Sequence, residues 1–227
     1  MKKEKREYGT IVDDKYLFFW KGPFSQWYKA PMTGSENIHY NCCEQYMMYN
    51  KAILFRDYDT ADKILRTKNP REQKELGRAV KNFEESMWNR EKESIVEQGN
   101  YIKFSQNYSL RKMLLKTSEL TIAEASPVDS IWGIGLAEDA SDVMDETKWG
   151  QNLLGKALMK VRKQLLEKPV SCRWRDAKND FFLEFADDLL FAHKCNITLT
   201  KKEEEELALQ ISKDMKITDF SINCLYS

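Results

Sequence analysis

Apolar residues along this chain recur mostly at helical spacing. Leu154, Leu158, Val161 and Leu165 fall three and four positions apart, which places them on one face of a helix expected over 152–167. Asn152 is a candidate cap for it, and Pro169 ends it. Further helices are expected over 43–55, over 59–65 with Asp59 or Thr60 as cap, from Pro70 onward, over 82–97 with Gly99-Asn100 as a stop, and over 107–116. Alternating or fully apolar runs are short: 16–20 (YLFFW), 38–40 and 120–125 read as strands. Proline, glycine and polar residues make 22–37 and 126–145 loops. The pattern predicts a mainly α class, α+β with a few short strands. It divides into a flexible tail over 1–15, a compact multihelical domain over 16–167, and a helical extension over 168–227. The extension carries an apolar-faced helix over 179–193, a capping box at Thr200 and Glu203 opening a helix to Lys213, and a final segment, strand or irregular, over 217–226.

Composition narrows the class of function. Of 227 residues, 42% are hydrophobic and 32% charged, a balance that supports an ordered core. Lys plus Arg and Asp plus Glu are both 36, so no global charge draws the chain to nucleic acid or anionic membrane. No apolar run approaches the length of a membrane span, and the charged start lacks the apolar stretch of a secretory signal. Five cysteines without CxxC spacing and two histidines give no disulfide framework and no zinc pattern. A reducing, cytoplasmic setting follows, with no metal and no cofactor expected.

Four clusters carry candidate chemistry. Glu44 and Lys51 lie seven apart on one helix face, roughly 10 Å along the axis. A carboxylate there can steady a sugar cation, and a lysine of lowered pKa can attack a sugar carbon. On spacing alone the pair reads first as solvated charges. The run from Glu124 to Leu136, EASPVDSIWGIGL, places Asp129, Trp132 and Gly133 on a loop after a strand end. Trp132 can stack on a ring there, or it is a core tryptophan. Trp149-Gly150-Gln151-Asn152 precedes a helix whose free amides can hold phosphate, with Lys156 and Arg162 adding charge, or it is an ordinary cap. Arg78, beside Gly77, can grip phosphate, and Trp88 follows in the next helix.

In their order these segments resemble the NADAR family, also called YbiA-like. The resemblance runs through Phe24-Ser25-Gln26-Trp27, Glu44-Gln45-Tyr46 with Lys51, Leu76-Gly77-Arg78, Trp88, Lys103-Phe104, Glu124-Ala125-Ser126-Pro127 with Asp129 and Trp132-Gly133, then Asn152 and Arg162. It implies a YbiA-like domain with N-glycosidase activity. The implied substrates are an ADP-ribosylated guanine in nucleic acid or a phosphoribosylaminopyrimidine of riboflavin synthesis. It also implies a catalytic pocket of Glu44, Lys51 and Asp129, lined by Trp88 and Trp132, with Arg78 and Asn152 on phosphate or ribose. Gln45 stands where the family often has histidine, and Ser25-Gln26-Trp27 where it often has Ser-Asn-Phe. Both departures are expected where substrate is read. The implied mechanism traps the opened sugar as an imine on Lys51. A second reading is a module that binds ADP-ribose or another nucleotide without turnover. The extension over 168–227 is a candidate interaction surface.

Overall fold

The structure is a computed structural model that describes residues 2–167. The chain divides into Met1–Arg162 and Lys163–Ser227; of the second unit, residues 163–167 are described, as the end of a helix. The helices and strand expected beyond residue 168 lie outside the described residues.

The elements run β1 (Lys3–Arg6), β2 (Gly9–Val12), β3 (Tyr16–Phe19), β4 (Met32–Thr33), β5 (His39–Tyr40), α1 (Cys43–Leu54), α2 (Tyr58–Arg66), α3 (Pro70–Arg78), α4 (Glu85–Gln106), α5 (Tyr108–Lys116), β6 (Thr121–Glu124) and α6 (Leu153–Glu167). The mainly helical α+β class is what the pattern predicts. The main sheet has the order β1-β2-β3-β6, antiparallel except where β3 and β6 run parallel. All four β3 residues are buried, as a strand covered on both faces requires. Tyr16 and Phe18 face a cluster with Val12, Ala123, Ala125, Ile134 and Val143. Phe19 meets Phe24 edge-on at 5.7 Å between ring centres, and Phe24 in turn meets Phe104 at 5.8 Å. β4 and β5 pair separately.

Several expectations change. The tail expected over 1–15 is a hairpin, β1 and β2, added to the sheet. Its outer strand, KEKR, is almost wholly exposed, and such charged edges lack the apolar alternation that marks a strand while discouraging further pairing. The cap of α2 is Asp57, whose side chain accepts from the Thr60 amide at 3.2 Å. α4 does not stop at Gly99-Asn100 but runs on to Gln106. Gly99 is there for contact: a Cβ would lie 2.7 Å from the Tyr46 ring of α1.

The last helix meets the sheet closely. Leu154, Leu158 and Val161 are fully buried. Asn152 takes φ +50° just before the helix. Rather than capping α6, its Nδ2 donates to the Ile122 carbonyl at 2.9 Å and its Oδ1 accepts from the Glu124 amide at 3.1 Å. This clamp joins β6 to α6, and a Cβ on Gly155 would lie 2.1 Å from the Ile122 carbonyl oxygen and 2.5 Å from Asn152 Oδ1. Gly155→Ala is therefore expected to cost roughly 1–3 kcal/mol in urea unfolding, despite alanine's better helix propensity. An unchanged or raised midpoint would contradict this close approach.

Candidate active site

The site begins with the loop after β3. Phe24 is fully buried and anchors it. The loop is then tied to the helices, and three of the ties hold Ser25, Gln26 and Trp27. Lys103 of α4 donates to the Ser25 carbonyl at 3.0 Å, the Glu44 amide donates to the Gln26 carbonyl at 3.0 Å, and Trp27 Nε1 donates to Glu44 Oε2 at 3.2 Å. Glu44 thus sits in the first turn of α1 with only 5% of its surface exposed. Its second oxygen, Oε1, is buried without a hydrogen-bond partner. A helix N-terminus and an indole N–H both favour a carboxylate. Burial outweighs them and pushes the Glu44 carboxyl up to about 7, against the pull of Lys74, the Trp27 bond and Arg78.

A second carboxyl, half-buried, belongs to Glu124, at the end of β6. Burial, and then the charge of Asp129, push it up to about 7 as well, and Glu44 adds to the effect. Asp129 lies on the following loop. Its Oδ1 accepts from the amides of Ile131 and Trp132 at 3.0 and 2.8 Å, which fixes the turn that presents Trp132. Gly133 is buried beneath that turn, where a Cβ would lie 2.7 Å from the Glu124 carbonyl oxygen. The cations come from α3: Lys74 acts on Glu44 and Glu124, and Arg78 on Glu44 and Lys51.

Lys51 is supplied by the far end of α1. α1 and α3 touch at Gly77, where a Cβ would lie 2.0 Å from Met48 Sδ. That closeness lets Lys51 Nζ donate to the Gly77 carbonyl at 2.8 Å. The ammonium also lies 4.4 Å from the Phe83 ring centre and 5.4 Å from that of Trp88. Burial, and then Arg78, hold the Lys51 amine below its ordinary pKa. A lysine so placed is closer to its neutral, nucleophilic form.

The NADAR domain family matches residues 18–166. The chain belongs to the NADAR family. It is 45% identical over 164 residues to an N-glycosidase of Acanthamoeba polyphaga mimivirus, covering 66% of this chain and 96% of that protein. It is 38% identical over 146 residues to protein irg-1 of Caenorhabditis elegans, covering 63% and 69%. An N-glycosidase of Nostoc punctiforme is 29% identical over 130 residues, covering 57% and 77%. The NMR structure of the E. coli protein YbiA superposes with a TM-score of 0.56 at 24% identity, over 70% of this chain and 88% of that one. The YbiA likeness is one of fold.

In this NADAR chain the structure links Glu44, Arg78 and Asp129 electrostatically, and Lys51 to Arg78 and Trp88. Glu44 and Lys51 are not two surface charges: one is buried and the other half-buried. Trp132 and Gly133 belong to the Asp129 turn. Asn152 is brought next to Glu124, but its amide is occupied by β6.

Two readings fail on geometry. The start of α6 offers no open amide nest, since Gly150, Gln151, Asn152, Leu153 and Leu154 donate to the carbonyls of Ile134, Ser130, Gly133, Ile131 and Trp132. Arg162, expected to add charge there, is buried and donates to Thr117 Oγ1 and the Leu120 carbonyl at 2.8 and 2.9 Å. Gln45 is likewise not a substrate reader: Nε2 lies within hydrogen-bond distance of the Ile64, Leu65 and Thr67 carbonyls, and Oε1 accepts from the Asn41 amide. Three residues of the site have no role in the sequence reading. Glu124 opens the run singled out there, at a strand end, and Lys74 sits four before Arg78 on one helix face; both signals are present in the sequence. Trp27 joins Glu44 only through the fold.

The raised carboxyl fixes a pH dependence. Glu44 binds its proton more tightly folded, near 7, than at its ordinary 4.5, so its contribution to stability is full below about 4.5 and is lost as pH rises through 7. Glu44→Gln should match the wild type near pH 4 and be more stable by on the order of 3 kcal/mol near pH 8. Thermal melts at the two pH values check it. A difference independent of pH would show that Glu44 titrates normally.

Proposed function

We propose that this chain is a hydrolase of N-glycosyl bonds that cleaves between ribose C1 and a base nitrogen. Its substrate class is nucleotide-like: an ADP-ribosylated guanine or a phosphoribosylaminopyrimidine. One observation carries the reading: a buried Glu44 carboxyl pushed up to about 7, acted on by both Asp129 and Arg78, the same arginine that acts on a lysine of lowered pKa. Two such relatives, from the mimivirus and from Nostoc, are named N-glycosidases.

The chemistry needs a proton for the departing base and a nucleophile for C1. Near neutrality a protonated Glu44 or Glu124 supplies the proton, and the C1–N electron pair leaves with the base. Asp129, whose charge helps both carboxyls keep their protons, steadies the positive charge that develops on the sugar. Lys51 then adds to C1 and gives up a proton, the C1–O4 ring bond breaks as O4 takes a proton so that the opened sugar is held as an imine, and water adds to C1 to expel the amine and free the sugar. Arg78 and Lys74 take phosphate charge, while Trp88 and Trp132 stack on the base and exclude water.

Glu44→Gln and Asp129→Asn, shown folded, should each release base at least about 100-fold more slowly, read by chromatography. Full activity in both would sink the hydrolase reading. Substrate binding without any base release in the wild type would leave a nucleotide-binding module. Borohydride with substrate should leave a mass adduct on Lys51; without one, the imine step is replaced by direct water attack.

A further inference from the structure

Two buried polar atoms beside the site stand without partners, and they are complementary. Gln26 is 9% exposed and Glu44 5% exposed. Gln26 Nε2, a donor, and Glu44 Oε1, an acceptor, make no hydrogen bond, either to each other or to any other described residue. Their residues are tied together, since the Glu44 amide donates to the Gln26 carbonyl and neighbouring Trp27 donates to Glu44 Oε2. Burying such atoms unsatisfied is costly, and native structures rarely tolerate it without a water or a ligand.

The orientation of the Gln26 amide follows from its neighbours. Asn100 Nδ2 donates to the Val96 carbonyl at 2.8 Å and to Gln26 Oε1 at 3.1 Å. The Val96 carbonyl only accepts, so Asn100 must present its NH2 group there. That NH2 group then requires the oxygen of Gln26, and the Gln26 NH2 group is turned away from Asn100 with hydrogens to give. Lys103, fully buried, holds the loop in this position through the Ser25 carbonyl.

We infer that Gln26 is a specificity residue: its Nε2 and Glu44 Oε1 together hold one hydroxyl of the substrate's ribose, at C2 or C3. A hydroxyl donates one hydrogen and accepts others, so it satisfies both atoms at once, and it suits the Glu44 carboxyl whether ionised or protonated. A methylene at that carbon satisfies neither. The inference rests on the ribosyl substrate proposed above.

The test measures binding by calorimetry, separately from base release. The probes are ribose 5-phosphate and ADP-ribose, each beside its 2-deoxy and 3-deoxy forms on the reacting sugar. The wild type should bind at least one of the two ribose probes about tenfold more tightly than one of its deoxy forms. Gln26→Leu should abolish that preference. Gln26→Met, close in length and likewise without a donor, should abolish it too, with melting read alongside to show that each variant is folded. A wild type that binds ribose and both deoxy forms alike, variants that keep the preference, or no binding of either ribose probe would each overturn the inference. Base release with no hydroxyl preference would remove this inference and leave the glycosidase reading. A hydroxyl preference without base release would do the reverse.

Discussion

The burial of the Glu44 carboxyl against the 25–27 loop is the constraint around which this structure is arranged. A carboxyl with 5% exposure and a single hydrogen bond is expensive to ionise, so it keeps its proton up to about pH 7. What holds it there is a second unusual group. The Lys103 side chain is fully buried, burial holds its amine below the ordinary value, and it spends its hydrogen bond on the Ser25 carbonyl. Its neighbour Cys43 is pushed up to about 12 by burial and remains a thiol. The α4 contacts at Lys103 and Asn100 therefore set the loop, and the loop sets Glu44.

The opposite wall is built almost entirely from backbone. β6 delivers Glu124, the loop beyond it delivers Asp129 and Trp132, and the carbonyls of that loop take the first amides of α6. Asn152 clamps the same junction from within. Amides that would otherwise attract an anion are thus consumed in fixing the geometry, and positive charge has to come from side chains. Lys74 and Arg78 of α3 supply it, brought close because Gly77 lets α3 lie against Met48 of α1. The same contact frees a carbonyl for Lys51.

Much of the helical frame was legible because burial of α6 and β3 writes itself into spacing: Leu154, Leu158 and Val161 on one stripe, and YLFF as a continuous apolar run. The hairpin over residues 3–12 was not, because a charged edge strand carries no apolar alternation. Gly99 misled because a glycine admitting a tyrosine ring looks in sequence like a glycine that ends a helix. In the site, Glu44 and Lys51 were visible as a pair on one helix, but their heads part, one toward Trp27 and the other toward Gly77. What reunites them is Arg78, a long-range relation that no local spacing encodes. The family resemblance supplied that order where spacing could not, yet it placed Asn152 on substrate, whereas the fold uses its amide to hold β6.

Burial delivers, in Glu44, a carboxyl able to exchange its proton at neutral pH. Carbon-detected NMR of the glutamate side-chain carboxyls, with Glu44→Gln to assign the resonance, reads this directly in the wild-type protein. A Glu44 midpoint near 7 is expected. A midpoint at the ordinary 4.5 would contradict it and remove the proton source on which the proposed chemistry depends.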